Sequence, residues 1–593
     1  MADNVATLIE RAVHFHQSGD LNEAVRFYEQ ALAADPEHAD ALYLCGTVQL
    51  QLGRFDACVD TLSHVTTLRP DLPDAHNNLG VAYQALGRWE EAACSFREAI
   101  RVNPSYEQAL FNLGALMEDR ALFADAETFF RMAVEINADE INTRNRLGNV
   151  LKAQGKWSEA EACYRKVAAA DPENLDVSVN LAFVLARQDR LDEAIAIYRQ
   201  ILKARPDYPE IHNSLSYIFE RQGKFDDAVS SARRALELQP DYAEGYNNLA
   251  TAVRSQHRLD EACRLYQKAL ELQPGFALAE FNYGTTQLLG GNYRAGWPGF
   301  RRHADIRDAP PRHFNQPRWN GERLENGTLF VYADQGFGDA LQFVRFLAAA
   351  KERARSQLVF ECQPELKPLL QGQTAADTVV ADNEAAPSTF TFQVPLERLP
   401  EILDVELDSL RGEDAYLKTP STLPEQLAHE VDRVPPSNRT VGLVWQGNPL
   451  QARDNVRSCP FAALLPLVRI PGISWYSLQT GEAAGQVKEL DGSIPLIDLG
   501  SRLRDFSETA AVLSRLDLLI TVDTATAHLA GALGRPVWTL LCHTPDWRWH
   551  LERSDSPWYR SMRLFRPPTW GDWDAVVSQV GKELNGWLAQ SRP

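Results

Sequence analysis

The sequence predicts an array of α-helical repeats in its first half and two α/β lobes in its second half. Three observations support this. A 34-residue period runs from the N-terminus to about residue 300, and short apolar strands alternate with helices from Leu329 onward. In addition, 593 residues are too many for a single hydrophobic core. Apolar residues make up 45% and charged residues 24% of the chain, which is ordinary for a globular protein.

The repeats are defined by a small residue that recurs every 34 positions and by a proline twelve positions after most of these. The small residues are Ala24, Cys58, Ala92, Ala126, Ala160, Ala194, Ala228 and Ala262; the later positions are Pro36, Pro70, Pro104, Ala138, Pro172, Pro206, Pro240 and Pro274. A small residue lets two helices approach closely, and a proline ends a helix. The pattern resembles the tetratricopeptide repeat (TPR), which implies an α-solenoid, a superhelix with a concave face, over residues 1–303. We count eight repeats and a partial ninth.

A row of asparagines occupies one slot of the first helix in successive repeats. Its members are Asn78, Asn112, Asn180, Asn248 and Asn282, and the row is interrupted at Arg146 and Ser214. A side-chain amide has both donors and an acceptor, so a row of them can hold an extended peptide backbone without reading its side chains. The row resembles the asparagine ladder of the eukaryotic O-GlcNAc transferases, which implies a protein acceptor in the groove. Local helix capping or simple solvent exposure is the alternative.

Residues 304–328 are expected to connect the repeats to the first lobe, with Phe314, Trp319 and Leu324 as anchors. We assign the lobes to residues 329–420 and 437–593, with a polar, proline-bearing hinge between them. In the first lobe a strand at 329–332 runs into a turn with Gln335, Gly336 and Gly338, and an amphipathic helix is expected over 341–353. Two glycines are a weak signal, because the third glycine of a dinucleotide site is missing. Alternating strands and helices predict parallel sheets.

The most informative stretch is residues 520–534, where a buried strand ends at Asp523 and an alanine-rich helix is predicted over Thr524–Leu533. Such a strand end faces the ligand crevice of an open α/β sheet. The first backbone N–H groups of the helix, at Thr524, Ala525 and Thr526, have no partners in the helix and suit a phosphate. Alternatively, Asp523 and Thr524 only cap the helix.

Other polar residues are placed to face the same crevice. Gln446 and Asn448 end the strand that starts near Val441, and Gln479 ends the next strand. Arg457, with help from Arg453, is the candidate for the leaving phosphate, because a guanidinium can bind two phosphate oxygens at once. Either arginine can instead be a solvated loop residue. His528 is a donor contact or a buried histidine, and we expect Trp547, Trp549 and Trp558 to pack in a core.

Three stretches, 329–346, 441–458 and 517–566, resemble bacterial TPR-coupled glycosyltransferases. Their catalytic half is similar to the heptosyltransferase family, with the two-lobed GT-B fold and Rossmann-like parallel sheets. The family's Gly-Asp after the first strand matches Gly338-Asp339, and its Asp-Thr-Gly with a following His matches Asp523, Thr524 and His528, except that Ala525 replaces the glycine. The resemblance implies that Asp339 is the catalytic base. Its alternative role is a helix N-cap.

The resemblance also implies a function. Relatives of this architecture include flagellin glycosyltransferases that use nonulosonic acids such as pseudaminic acid carried on CMP. We therefore expect an inverting, metal-independent protein O-glycosyltransferase that modifies Ser or Thr of an acceptor such as flagellin, with a nucleotide sugar as co-substrate and no cofactor. The alternatives are a UDP-GlcNAc or ADP-heptose donor, or a non-catalytic TPR scaffold with a relic GT-B half.

Net charge, cysteine spacing and the lack of long apolar stretches argue against several other classes of protein. A net charge of −20 argues against general nucleic-acid binding. The eight cysteines are scattered, without a Cys-x-x-Cys pair, which predicts reduced thiols. An acidic N-terminus without an apolar core, and no long apolar stretch, predict a cytoplasmic protein without a membrane span. Asp572 and Asp574 form an Asp-x-Asp, but their place at a helix start predicts capping and not metal binding.

Overall fold

A computed structural model gives the fold and describes residues 4–306, 312–325, 327–384, 389–410, 415–420, 422–435, 437–449, 451, 453–490 and 494–590. The chain forms two compact units, Met1–Ser214 and Leu215–Pro593. The first unit contains helical repeats. The second contains further repeats together with both α/β lobes. The predicted fold class, a helical solenoid followed by parallel-sheet α/β lobes, is confirmed.

The first unit is built from helices in antiparallel pairs, and each helix from α1 to α12 packs on its neighbour along the chain. Its helices are α1 (Val5–Ser18), α2 (Leu21–Ala34), α3 (Ala39–Gln51), α4 (Phe55–Leu68), α5 (Pro73–Ala85), α6 (Trp89–Val102), α7 (Glu107–Asp119), α8 (Phe123–Ile136), α9 (Ile141–Ala153), α10 (Trp157–Ala170), α11 (Leu175–Arg187), α12 (Leu191–Ala204) and the start of α13 (Pro209–Arg221).

In the first unit the recurring small residues lie where two helices approach closely, as the period predicts. Ala24, Cys58, Ala92 and Ala126 are fully buried where paired helices meet. Glycines one helix earlier lie directly beneath a large side chain: a Cβ on Gly80 would come within 2.6 Å of the Phe96 ring. Small residues therefore set the spacing of the helices.

The second unit continues the repeats with α14 (Phe225–Leu238), α15 (Ala243–Ser255), α16 (Leu259–Leu272), α17 (Ala277–Leu289), α18 (Tyr293–Phe300) and α19 (His303–Ile306). Tyr293–Phe300 corrects the partial ninth repeat that the sequence predicts. The eight residues are helical although Pro298 lies inside them and cannot donate a backbone hydrogen bond. The burial of Trp297 and Phe300 in the second unit compensates for this loss. The ninth repeat is therefore a short but complete helix pair.

The connector is anchored as expected within its described part. Trp319 is fully buried and Leu324 nearly so. The Phe314 ring packs against Tyr332 with ring centres 5.1 Å apart. Residues 307–311 and 326 lie outside the described residues.

The first lobe contains a four-stranded parallel sheet in the order β3-β2-β1-β4. Its strands are β1 (Thr328–Tyr332), β2 (Gln357–Cys362), β3 (Thr378–Ala381) and β4 (Phe392–Pro395), and its helices are α20 (Phe337–Phe343), α21 (Leu347–Ala354), α22 (Lys367–Leu370) and α23 (Leu399–Ile402). The helix expected over 341–353 is divided, because a 3-10 turn at Val344–Phe346 separates α20 from α21. In addition, helix α20 starts four residues before the predicted start, directly after Gly336.

The second lobe contains a six-stranded parallel sheet in the order β10-β9-β8-β5-β6-β7. Its strands are β5 (Arg439–Val444), β6 (Ile473–Ser477), β7 (Leu496–Asp498), β8 (Leu518–Val522), β9 (Val537–Leu540) and β10 (Met562–Phe565); its helices are α24 (Glu425–Asp432), α25 (Asp454–Arg457), α26 (Phe461–Val468), α27 (Gly485–Lys488), α28 (Phe506–Leu513), α29 (Ala525–Ala532) and α30 (Trp573–Leu588). The sequence predicts four of these strands. It misses β7 and β10 at the two edges, and the expected hinge contains helix α24.

An aromatic cluster joins the ninth repeat to the lobes within the second unit. It consists of Tyr293, Trp297, Phe300, Trp547 and Trp558, which we call the aromatic joint. The Trp547 ring centre lies 5.4 Å from those of Trp297 and Phe300. Trp297 also donates from its indole nitrogen to the carbonyl of Val405 at 2.8 Å, which ties α18 to the first lobe. The packing roles expected for Trp547, Trp549 and Trp558 are confirmed by their near-complete burial.

All eight cysteines are free thiols, as predicted. Among the residues whose structure is described, no helix has the length and apolar character needed to cross a bilayer.

The contact between α17 and α18 generates a stability prediction. A Cβ on Gly284 would come within 2.6 Å of the Gly296 carbonyl oxygen and 2.7 Å of the Gly299 Cα. Both are backbone atoms and cannot rotate away, so we expect Gly284→Ala to lower the free energy of unfolding by about 1–3 kcal/mol. Thermal and urea denaturation would measure the loss.

Gly586→Ala is the matched control, because this helical glycine has open space around its Cβ position. It should leave stability unchanged or raise it by up to about 1 kcal/mol. Equal effects of the two substitutions would contradict the close-contact explanation.

Candidate functional site

A cavity of about 1230 Å³ lies where the carboxyl ends of β1, β5, β6 and β8 meet the repeat helices α15 and α17. All the residues predicted for catalysis and donor binding line it, which are Gln335, Gly336, Gly338, Asp339, Gln446, Asn448, Arg457, Gln479, Asp523, Thr524, Ala525, Thr526 and His528. The glycine turn of the first lobe and the helix start of the second therefore face one common gap. Asn282, the last member of the asparagine row, lines the same cavity.

Asp339 is in the first turn of α20, and Arg548 from the other lobe forms an ion pair with it. The guanidinium of Arg548 also donates to Asp546 at 2.8 Å and to the side-chain oxygen of Gln342. Asp339 does not cap its helix, because Gly336 holds the N-cap position and no side chain makes a capping hydrogen bond. The alternative role of Asp339 as a helix N-cap is therefore wrong. Arg548 fixes the orientation of the Asp339 carboxylate, which is still one quarter exposed.

Gly338 allows the two lobes to touch. A Cβ at this position would lie 2.9 Å from Cδ2 of His528 and 3.8 Å from the Ala525 Cα. His528 is 5% exposed and its Nδ1 is 2.8 Å from the Tyr559 hydroxyl. Burial lowers the pKa of His528 well below its usual value, and the positive charge of Arg548 acts in the same direction. His528 is therefore a buried, neutral residue of the cavity wall, and its contact with a donor stays a prediction.

Asp523 has an unusual electrostatic environment at the end of β8. Burial and the negative charge of nearby Asp546 together raise the pKa of this carboxyl to about 6, although Arg457 and Arg548 oppose the shift. When two carboxyl groups are close together in a poorly solvated place, ionising both costs free energy, because burial disfavours each charge and the two charges repel. Asp523 therefore changes its charge near neutral pH, in contrast to an ordinary aspartate.

The start of α29 is open toward the cavity. Thr524 is in the N-cap position, but no side chain makes a capping hydrogen bond there. The Thr524 hydroxyl is instead 3.0 Å from that of Thr521. Thr524, Ala525 and Thr526 line the cavity. The positive end of the helix dipole consequently faces the space where a phosphate was predicted.

Arg457 is held against the strand end by its own short helix. Its Nε is 3.3 Å from Asp454, and a Cβ on Gly447 would meet both of these side chains. Arg453 donates to the Thr544 hydroxyl at 2.9 Å, and its guanidinium is 3.5 Å from Glu220 of α13. Arg457 is helical and 23% exposed, so it is not a solvated loop residue, whereas Arg453 is half exposed and lies in a turn.

The structure corrects the donor-binding role that the sequence predicts for Gln479. It lines the cavity, but its carboxamide is committed to the backbone: the oxygen accepts from Trp445 and Gln446, and the nitrogen donates to the carbonyls of Gln446 and Thr480. With both ends occupied, the side chain fixes the loop that carries Gln446 and Asn448 and does not offer itself to a donor. Gln335 differs, because its buried amide nitrogen has no hydrogen-bond partner among the described residues.

The predicted asparagine row is half-buried in the first helices of the repeats. Asn112 donates to Asn77 of the preceding repeat at 2.9 Å, and Asn282 donates to Asn247 at 3.0 Å. Asn78 and Asn180 donate in the same way to Thr47 and Asn149, whereas Asn248 accepts from its neighbour Asn247. These amides lie within helices, so local capping does not explain them. Four of the five join neighbouring repeats, and peptide binding through the remaining amide groups stays a prediction.

The sequence did not reveal several cavity residues. Arg548 and Asp546 form the charge network around Asp339, and Gln451 lies within 3.7 Å of the Cβ position at Gly336. The only sequence signal was the dense aromatic stretch around Trp547, which we assigned to a core. Arg548 belongs to the site because the packing of the aromatic stretch around Trp547 places its guanidinium next to the first lobe.

Within the described part of the chain, no three His, Cys, Asp or Glu side chains are grouped as a metal ion would require. Asp572 accepts a capping hydrogen bond from the Ala575 backbone at the start of α30. The helix-start role predicted for the Asp-x-Asp is confirmed.

Family models match both halves of the chain. Tetratricopeptide-repeat models match residues 15–79, 73–106, 151–216 and 215–293. The model described as glycosyltransferase family 9 (heptosyltransferase) matches residues 482–571. This last segment includes Asp523, His528 and Arg548, whereas Asp339 and the first lobe lie outside it.

A curated relative is Protein FlbA of Caulobacter vibrioides, which is 26% identical over 345 residues. The match spans 53% of this chain and 56% of that relative's length. Similar solved structures include the Thermus thermophilus TPR protein TTC0263, with 25% identity, a TM-score of 0.25 and coverage of 31% of this chain and 99% of that one. Yeast Tom70 is 15% identical, with a TM-score of 0.29 and coverage of 52% and 86%.

The repeats, the two parallel-sheet lobes and the family 9 segment agree with one another. The chain is therefore a tetratricopeptide-repeat protein whose second half carries a heptosyltransferase-like glycosyltransferase domain.

Proposed function

We propose that the protein is an inverting, metal-independent glycosyltransferase that transfers a sugar from a nucleotide donor to Ser or Thr of a protein held by its repeats. One observation supports the protein acceptor above the others. Repeat residues on α15 and α17, including Asn282, line the same cavity as Asp339 and the start of α29. A polypeptide bound at Asn282 would therefore lie at this cavity.

The cavity supplies the two things that this reaction needs, which are a base and a positive region for the departing phosphate. Asp339 takes the proton from the acceptor hydroxyl, and Arg548 holds its carboxylate in place. Arg457 and the start of α29 stabilise the phosphate as the glycosidic bond breaks. This assignment uses cations and helix N–H groups where other glycosyltransferases use a metal ion.

The finer assignment rests on the resemblance stated above. We propose a nonulosonic acid such as pseudaminic acid, carried on CMP, as the donor, and flagellin as the acceptor. A cytoplasmic location belongs to the same proposal, because nucleotide sugars are made there. The heptosyltransferase description of the matching family supports an ADP-heptose donor as the second candidate.

The decisive experiment is intact-mass analysis of flagellin co-expressed with this protein and a pathway for a CMP-nonulosonic acid. A mass increase of one sugar per modified site would support the proposal. Thermal-shift measurements with CMP, UDP, GDP and ADP test the donor separately. Stabilisation by ADP alone would favour the heptose donor, and stabilisation by none would favour a scaffold.

Asp339→Asn should reduce transfer by about 10²–10⁴-fold, because the carboxamide cannot accept the acceptor proton. Donor affinity should change little, whereas loss of the ion pair with the buried Arg548 should lower the thermal midpoint. Rates of transfer and calorimetric donor titrations measure the two effects. Glu352→Gln, which neutralises an exposed carboxylate of the same lobe, is the control. Full turnover in Asp339→Asn would reject the assignment of the base.

Replacing Asn78, Asn112, Asn180 and Asn248 together by Ala should weaken acceptor binding at least roughly 30-fold, since each lost amide hydrogen bond contributes about 0.5–1.5 kcal/mol. Fluorescence anisotropy with labelled acceptor measures the affinity, below the unfolding temperature of the variant. The control replaces the exposed asparagines Asn22, Asn142 and Asn585. Unchanged affinity in the fourfold variant would exclude the asparagine row as the acceptor site.

Donor binding should depend on pH through Asp523. The pKa of this carboxyl is raised to about 6, so it is neutral below pH 6 and negative above. Because the ionised form repels the donor phosphate at the start of α29, affinity should fall about 10-fold from pH 5 to pH 7. A nucleotide sugar is the proper ligand, since its phosphate esters do not titrate in this range. Asp523→Asn should flatten the profile, and an unaltered slope in that variant would refute the assignment.

A further inference from the structure

The wall that the repeats contribute to the cavity contains an arginine with no assigned role. Arg254 lies in the last turn of α15, is half-buried and lines the cavity. A basic residue there is also favoured by the helix dipole. The dipole explains why an arginine is tolerated at this position, but it does not explain why the side chain faces the space between the lobes.

The end of α15 contacts α13 and the second lobe. Ser255 donates to Glu220 of α13 at 2.7 Å, and Glu220 is paired with Arg453. His257 has its Nε2 3.0 Å from the His543 carbonyl oxygen, and the two imidazole rings stack with centres 4.6 Å apart. Arg254 therefore comes from a fixed helix end, and it lines the same cavity as Thr544, Pro545 and Asp546, which follow the carboxyl end of β9.

The other arginines of the cavity are already paired. Arg548 contacts Asp339 and Asp546, Arg457 contacts Asp454, Arg453 contacts Glu220, and Arg504 contacts Glu508. Among the residues that the structure describes, the guanidinium of Arg254 has neither an ion pair nor a hydrogen bond. A half-buried cation that faces a ligand-sized cavity is suited to an oxyanion, because a guanidinium binds carboxylate and phosphate oxygens through two parallel hydrogen bonds.

We propose that Arg254 binds an oxyanion of the nucleotide-sugar donor, so that the repeats supply a donor ligand as well as the acceptor groove. The inference rests on the proposed function. The carboxyl ends of parallel strands form the ligand side of such a sheet, and Arg254 lines the cavity into which these ends open. The oxyanion is either a donor phosphate or a carboxylate on the sugar. Glycosyl transfer therefore requires α15 in place, and the lobes without it bind donor poorly.

The test compares full-length Arg254→Ala, Arg254→Lys and wild type by isothermal titration calorimetry. The ligands are CMP, ADP and a CMP-nonulosonic acid. We expect Arg254→Ala to weaken binding of the donor about 10- to 100-fold, and Arg254→Lys to be intermediate, because lysine keeps the charge and loses the second hydrogen bond. A loss with all three ligands identifies the phosphate as the partner. A loss with the CMP-nonulosonic acid alone identifies the sugar carboxylate.

Arg258→Ala is the matched control. Arg258 lies four residues further along, outside the cavity lining, and is paired with Glu261. It removes the same charge and should leave donor affinity unchanged. Equal losses in Arg254→Ala and Arg258→Ala would overturn the proposal in favour of a general charge effect.

Two further outcomes separate this inference from the proposed function. Wild-type donor affinity in Arg254→Ala, with transfer retained, would reject the role of Arg254 and leave the glycosyltransferase assignment standing. Weaker acceptor binding with unchanged donor binding would likewise reject it and assign Arg254 to an acidic acceptor segment. A wild-type protein that binds none of the three ligands would refute the proposed function, and the inference with it.

Discussion

The structure depends on the burial of the aromatic joint between the ninth repeat and the lobes. Trp297, Trp547 and Trp558 are each at most 3% exposed, and an aromatic pair contributes about 0.5–1.5 kcal/mol beyond the burial of its surface. The same loop that supplies Trp547 also carries Asp546 and Arg548. The packing of a repeat helix therefore determines where the charged groups of the cavity lie, and a side chain that disturbed the joint would displace the ion pair with Asp339.

The charged side chains of the cavity interact through shared partners. Arg548 is shared between Asp339 and Asp546, and Asp546 in turn raises the pKa of Asp523. One arginine thus couples the candidate base of the first lobe to the candidate donor contact of the second. Because an anionic donor would enter next to these carboxylates, its phosphate competes with them for the same positive groups. Protonation of Asp523 below pH 6 would remove one of the competing negative charges.

Much of this organisation follows from sequence, because it depends on local periodicity. The 34-residue spacing locates the repeats, and buried apolar runs such as Leu518–Val522 locate the central strands. The edge strands β7 and β10 were missed because they are short and follow irregular loops. Helix α18 was counted as part of an incomplete repeat because it is short and contains Pro298. Arg548 could not be found, since its role arises from a contact with Asp339, 209 positions earlier in the chain. Arg254 could not be found either, since only the fold brings the end of α15 to the cavity. Gln479 was misjudged for the opposite reason, because its position at a strand end hid its backbone contacts.

The division of the chain at Leu215 has a consequence for how such proteins diversify. Every residue that lines the cavity comes after this position, and so do the aromatic joint and the glycine contact between α17 and α18. Sequence changes confined to the first six repeats therefore leave every residue of the cavity wall unchanged, whereas changes in the last three repeats can alter that wall directly.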